Sequence, residues 1–142
     1  MLYRSITKRF TYILSFVAIL LSTSSAAFIS DEVSKAMDQA NFCQKATQEL
    51  VFIECMRRNN EFIRTTIKQK SKTATNGLSS HKKKKINQGI EHSIKSKIEI
   101  CMNEQSRLSS HSGSDRRQEY CLYENMLEVL INIDRNIEIF GH

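Results

Sequence analysis

The sequence predicts an all-α fold: a small disulfide-stapled helical bundle or hairpin behind an N-terminal signal peptide. Three observations carry that expectation. The 142-residue chain has no proline and only four glycines, so little interrupts helix. After residue 30, apolar residues recur at spacings of three and four over most of the length. Four cysteines in a short chain behind an export leader read as two disulfides.

The leader is expected over residues 1–27, with a single helical domain over 28–142. Arg4, Lys8 and Arg9 give a basic start without an acidic residue. Tyr12 to Leu21 is an apolar run of signal-peptide length, and Ser-Thr-Ser-Ser-Ala-Ala after it supplies small residues for cleavage after Ala26 or Ala27. A buried core helix would leave the basic flank and the small-residue exit unexplained. An uncleaved membrane anchor would have to extend across serines and threonines to reach the roughly 20 residues of a span. The expected location is secreted or periplasmic, with membrane contact if the leader is retained.

The formal net charge is +6, and +3 without the leader's three basic residues. Residues 28–63 carry four basic and six acidic groups, residues 64–97 ten and one, and residues 98–142 four and eight. A basic middle therefore lies between two mildly acidic flanks.

Each element follows from its spacing. Val33, Ala36, Met37, Ala40 and Cys43 mark a first helix, and Ala46, Leu50 and Ile53 continue the pattern. Cys43 and Cys55 would lie about 18 Å apart on one straight helix, beyond the roughly 7 Å a disulfide spans. Pairing them needs a bend, with a short helix over about 45–54 and Asn41 and Gln44 as its start signal. Met56, Phe62, Ile63 and Ile67 form the next apolar face, fading near Lys72. Residues 71–85 (SKTATNGLSSHKKKK) read as a lysine-rich exposed loop. Ile86, Ile90, Ile94, Ile98 and Met102, joined by Cys101 and Leu108, form a narrow stripe on a long helix. A turn over Ser109–Ser114 ends it, with Ser114 as the next N-cap and Asp115 in the first turn.

The last helix is expected over about 115–139, with Gly141 at its end. One stripe on it is Leu122, Met126, Val129, Ile133, Ile137 and Phe140. A second is Tyr123, Leu127, Leu130 and Ile131. A face that wide belongs to a central helix with neighbours on two sides, the Ile86–Met102 stripe and the 31–67 region.

Two disulfide schemes fit. Local pairing gives Cys43–Cys55 and Cys101–Cys121. Nested pairing gives Cys55–Cys101 and Cys43–Cys121 across one long hairpin turning near residue 78. The local scheme is favoured because Cys101 and Cys121 each lie ten residues from His111, at the centre of the turn. The spacings Cys43-x11-Cys55 and Cys101-x19-Cys121 match no short paired ligand set of a structural zinc site, so no metal is expected.

Two places carry a family likeness. One is the Cys43-Gln-Lys-Ala-Thr-Gln-Glu run to Cys55, and the other is Cys101 followed by Ser112-Gly113-Ser114 and Cys121-Leu122. This framework, over roughly residues 41–137, resembles the LprI-like lysozyme-inhibitor domains, small exported helical bacterial proteins. The chain departs from the family pattern elsewhere. Ser93 and Lys97 stand near the family's Trp and Arg before the third cysteine. Residues 64–70 lack its Asp, Leu-Asn and Tyr. The resemblance implies local disulfides, a periplasmic or secreted protein, and inhibition of a lysozyme-like partner.

No enzyme, and no cofactor, is expected. His81 and His111 fall in expected loops, His142 at the terminus and His92 on a polar helix face. Glu99, Glu104, Glu124 and Glu128 lie on helix faces among lysines, as solvated carboxylates do. Glycine-rich phosphate loops are absent. The one surface signal is basic: Lys82, Lys83, Lys84 and Lys85, with Lys68, Lys70, Lys72, Lys95 and Lys97, form a candidate polyanion site. No aromatic residue lies between Phe62 and Tyr120 to stack bases, so no specific nucleic-acid recognition is expected. Two functions compete: an exported binding protein of the lysozyme-inhibitor type, and a secreted or surface effector that uses the 64–97 segment on an anionic surface.

Overall fold

The computed structural model describes residues 29–108 and 113–142, leaving out the side chains of residues 105, 107, 108 and 114. The expected leader and the centre of the 109–114 turn lie outside the described residues. The rest is an all-α bundle: α1 (Asp31–Gln44), α2 (Glu49–Ala74), α3 (Ser80–Leu108), α4 (Ser114–Asn136) and a terminal 3-10 turn (Ile137–Gly141).

Local chemistry sets the boundaries. The Ser30 hydroxyl accepts from Val33 N at 3.4 Å, and Asp31 and Glu32 occupy the positive end of α1. Tightened bonds from Lys45 N to Phe42 O and from Ala46 N to Cys43 O close α1. The bend between Cys43 and Cys55 is therefore real, but the short helix expected over 45–54 is not. The break covers only residues 45–48, and α2 then runs unbroken for 26 residues. Asn41 lies inside α1, and extended Gln48 precedes α2 without a side-chain cap.

The expected loop over 71–85 is also corrected. Ser71 and Thr75 are buried, and the Thr75 hydroxyl donates to Ser71 O at 2.7 Å, which carries α2 to Ala74. Gly77, at φ +84°, turns the chain. Ser79 Oγ accepts from Lys82 N at 3.4 Å and starts α3. Lys82–Lys85 are thus helical, because lysine is a good helix former and consecutive positions point in different directions. Before α4 the N-cap is Gly113 at φ +86°, one residue ahead of the expected Ser114. Past Asn136, whose side chain accepts from Glu138 N at 3.1 Å, the chain tightens to 3-10.

The central helix is α4. Tyr123, Met126, Val129, Leu130 and Ile133 on it are buried, and it packs against α2 on one side and α3 on the other. Phe52 with Arg116, Asn60 with Glu119, and Lys70 with Asp134 show that α2 and α4 run parallel. Cys101 with Cys121 and Lys97 with Glu128 show that α3 runs antiparallel to α4. Val33, Ala36, Ala40 and Cys43 seat α1 on α2 and α4.

The α3 stripe is buried only in part. Ile86 and Ile90 are core, Ile94 and Ile98 are half-buried, and Met102 is exposed. At 3.6 residues per turn a strict spacing of four drifts about 40° per step, so its far end leaves the interface. Cys101 takes the buried position there. Met37 and Leu50, expected on apolar faces, are exposed as well.

Candidate functional site

The structure contains the local disulfides. Cys43 and Cys55 are bonded with Cα atoms 5.5 Å apart, and Cys101 and Cys121 with 5.7 Å. The first joins the end of α1 to the start of α2, and the second joins the end of α3 to the start of α4. Both therefore lie at one end of the bundle. A side-chain amide is aimed at each: Gln39 Nε2 at Cys43 Sγ and Cys55 Sγ (3.8 and 3.6 Å), Asn125 Nδ2 at Cys101 Sγ and Cys121 Sγ (3.4 and 3.5 Å).

An open groove of about 620 Å³ runs over the second disulfide. Its apolar lining includes Phe52, Ile100 and Tyr120, and its carboxylates are Glu104 and Glu124. The Arg116 guanidinium sits 3.9 Å from the Phe52 ring centroid, a cation–π contact that ties α4 to α2. Nearby, burial and then Tyr120 and Glu124 raise the Tyr123 hydroxyl above its usual range.

Large apolar side chains are exposed around this end: Phe42, Leu50 and Val51 at the α1–α2 corner, Ile100 and Met102 on α3. Leu50 is the extreme, at 80 % exposed. Sequence periodicity counts Leu50 and Met102 among them as core. What reveals them is the bend, which the two cysteines at 43 and 55 require and which turns α2's first positions outward.

The basic residues take several roles. Lys82 Nζ bonds Glu138 at 2.7 Å, which lowers the Glu138 pKa through that hydrogen bond and the adjacent charge. Lys97 bonds Glu128 at 2.6 Å. Lys70 lies between Asp134 (2.7 Å) and Glu32 (3.1 Å). Burial opposes its charge, but the two carboxylates outweigh that and hold its pKa above the ordinary value. The Glu32 carboxyl is held low by its own backbone N–H and then by Lys70. Lys83, Lys84 and Lys85 are exposed and form no ion pair among the described residues.

His81 and His92 are exposed on α3, His142 is exposed at the terminus, and His111 lies outside the described residues. Glu99 is exposed on α3. Among the described residues no group of three or more His, Cys, Asp or Glu side chains could hold a metal ion. No helix of the described residues is long and apolar enough to cross a membrane.

No family model matches the chain, and neither the curated proteins nor the solved structures contain a match to it.

Proposed function

We propose that this is an exported helical binding protein that grips a protein partner at its disulfide end. The observation that carries the reading is the set of large exposed apolar residues at that end, Phe42, Leu50, Val51, Ile100 and Met102, of which Ile100 lines the groove. Several large apolar side chains exposed at one end of a small domain point to an interaction site. Two disulfides hold the helix ends that frame it, which limits the ordering cost of association. They also fit an oxidising compartment, hence a secreted or periplasmic location.

The partner class to test first is a lysozyme-like cell-wall hydrolase, the class implied by the resemblance of the cysteine framework. Glu104 and Glu124 line the groove beside Arg116 and Arg117, so its charge is balanced and the apolar side chains, not attraction to a basic enzyme, would carry the contact. The test is lysis of bacterial cell walls by a c-type lysozyme, with and without the oxidised protein, at two salt concentrations. Stoichiometric inhibition, lost in Leu50→Glu and Ile100→Glu, is expected. Undiminished lysis at a large molar excess removes lysozyme inhibition and leaves the groove to another protein.

A further inference from the structure

The opposite end of the bundle carries a second, chemically different surface. Between Glu61 and Glu91 the chain has eight Lys or Arg residues and no Asp or Glu. The fold sorts these eight into two groups. Lys70 is taken by Asp134 and Glu32, and Lys82 by Glu138. Arg64, Lys68, Lys72, Lys83, Lys84 and Lys85 remain, all exposed and without an ion pair among the described residues. Arg64, Lys68 and Lys72 follow one another at spacings of four on α2, on neighbouring faces leading to the turn. Lys83, Lys84 and Lys85 point in three directions from the first turns of α3. The Ser71–Asn87 hydrogen bond, 2.8 Å, holds the two helices together just below the 75–79 turn. Lys72 and Lys83–Lys85 therefore lie close to the hairpin tip, and Arg64 and Lys68 extend the basic surface down α2.

Their placement at the start of α3 runs against helix stability, since the helix N-terminus is itself positive. The same arrangement adds to the outward positive potential. Exposed aliphatic residues flank the tip. Ile139 sits in the 3-10 turn that Lys82 grips through Glu138, and Ile29 precedes Ser30, which bonds Asp134 beside Lys70. The described chain also enters at this end, and the apolar run at 12–21 precedes it in sequence. A leader retained in a bilayer would tether this end towards the lipid. Aromatic stacking platforms for bases are lacking, since no aromatic residue lies between Phe62 and Tyr120.

We propose that the tip of the α2–α3 hairpin is a docking surface for an anionic lipid bilayer. Lysines near such a surface each contribute about a fivefold factor in partitioning. The test is co-sedimentation of the full chain with vesicles of phosphatidylglycerol and phosphatidylcholine against phosphatidylcholine alone. Insertion of the apolar run would favour both vesicle types, so the difference between them reports charge. Lys83→Gln/Lys84→Gln/Lys85→Gln should lower the anionic preference on the order of a hundredfold. Raising the salt should erase that preference. Lys35→Gln/Lys45→Gln/Arg58→Gln makes the same net-charge change elsewhere and should retain it. Equal loss in both triple variants would reduce the effect to net charge and overturn the proposal. So would equal binding to the two vesicle types at low salt. A duplex DNA fragment that binds while anionic vesicles do not would overturn it in favour of nucleic acid. Circular dichroism on each variant separates lost binding from lost folding.

Discussion

The backbone carbonyl of Phe140 rests on Gly89, where any side chain would have to stand. A Cβ built on Gly89 overlaps Phe140 O and comes within 2.7 Å of Phe140 C. This contact docks the terminal 3-10 turn onto α3 and brings Glu138 to Lys82.

Gly89→Ala is therefore expected to destabilise, although alanine is the better helix former by about 1 kcal/mol. The obstruction is backbone, which cannot rotate away, and overpacking costs about 1–3 kcal/mol. The 137–141 segment should undock, so amide exchange there should accelerate more than in α2. Gly77→Ala meets open space at φ +84° and should cost about 1 kcal/mol without such local exchange. Exchange protection measured on both variants checks the pair.

The reach of the sequence shows at particular residues. The two-stripe pattern of α4 made it central, because a wide apolar face needs neighbours on both sides, and the fold places α2 and α3 there. That the chain bends between Cys43 and Cys55, if they pair, was legible from the reach of a disulfide; the place of the bend, 45–48 rather than around a short 45–54 helix, was not. The start of α3 was not, because a run of lysines reads as a solvated loop while Ser79 and the helix propensity of lysine decide otherwise. The exposed groove rim was hidden as well: Leu50 and Met102 keep helical spacing, and only the bend and the drift of a four-residue repeat turn them outward. Asn59 and Asn60 are polar and belong to none of the apolar stripes, yet both are buried.

Asn59 gives a second prediction. Its Nδ2 donates to Ala36 O at 2.9 Å across the α1–α2 interface, while its Oδ1 is buried without a partner. An unsatisfied buried acceptor costs about 1–3 kcal/mol. Asn59→Leu, of similar size, is expected to be neutral or more stable by about 1 kcal/mol. Asn59→Asp places a charge against a carbonyl oxygen and should lose about 3 kcal/mol or more. Urea midpoints should rank leucine at or above wild type and aspartate well below.

Lys70 sets a pH window. The Glu32 pKa lies below its ordinary 4.5, so its stabilising share is complete above that value and disappears as pH falls through the lowered one. The Lys70 pKa lies above its ordinary 10.5, so its share is complete below that value and disappears as pH rises through the raised one. Lys70→Met should cost about 1–2 kcal/mol at neutral pH, because the pair with Asp134 is partly buried and the one with Glu32 is largely solvated. The gap between wild type and variant in urea unfolding should stay flat between pH 5 and 10, and narrow outside that range.

The two disulfides should be separable by where their loss is felt. Their separations of 12 and 20 residues correspond to about 3 kcal/mol each in the chain-entropy model. Together they approach the whole stability of a domain of this size, about 5–15 kcal/mol, so full reduction should bring it to the edge of unfolding at 37 °C. Cys43→Ser/Cys55→Ser removes the covalent hold on α1, a 14-residue helix too short to persist alone. Its remaining anchors include Val33, Ala36 and Ala40 in the core, Asn59 Nδ2 on Ala36 O and Glu32 on Lys70, so exchange should quicken over 31–44 first. Cys101→Ser/Cys121→Ser frees the end of α3 from the start of α4 beneath the groove. There Ile94 and Ile98 are half-buried and Ile100 and Met102 are exposed, so little packing replaces the bridge. Exchange should quicken over 99–121 and leave α1 protected. Melting curves with and without reductant, read beside residue-level exchange on the two variants, decide whether each staple holds its own pair of helices; uniform loosening in both would show that the bundle yields as one unit.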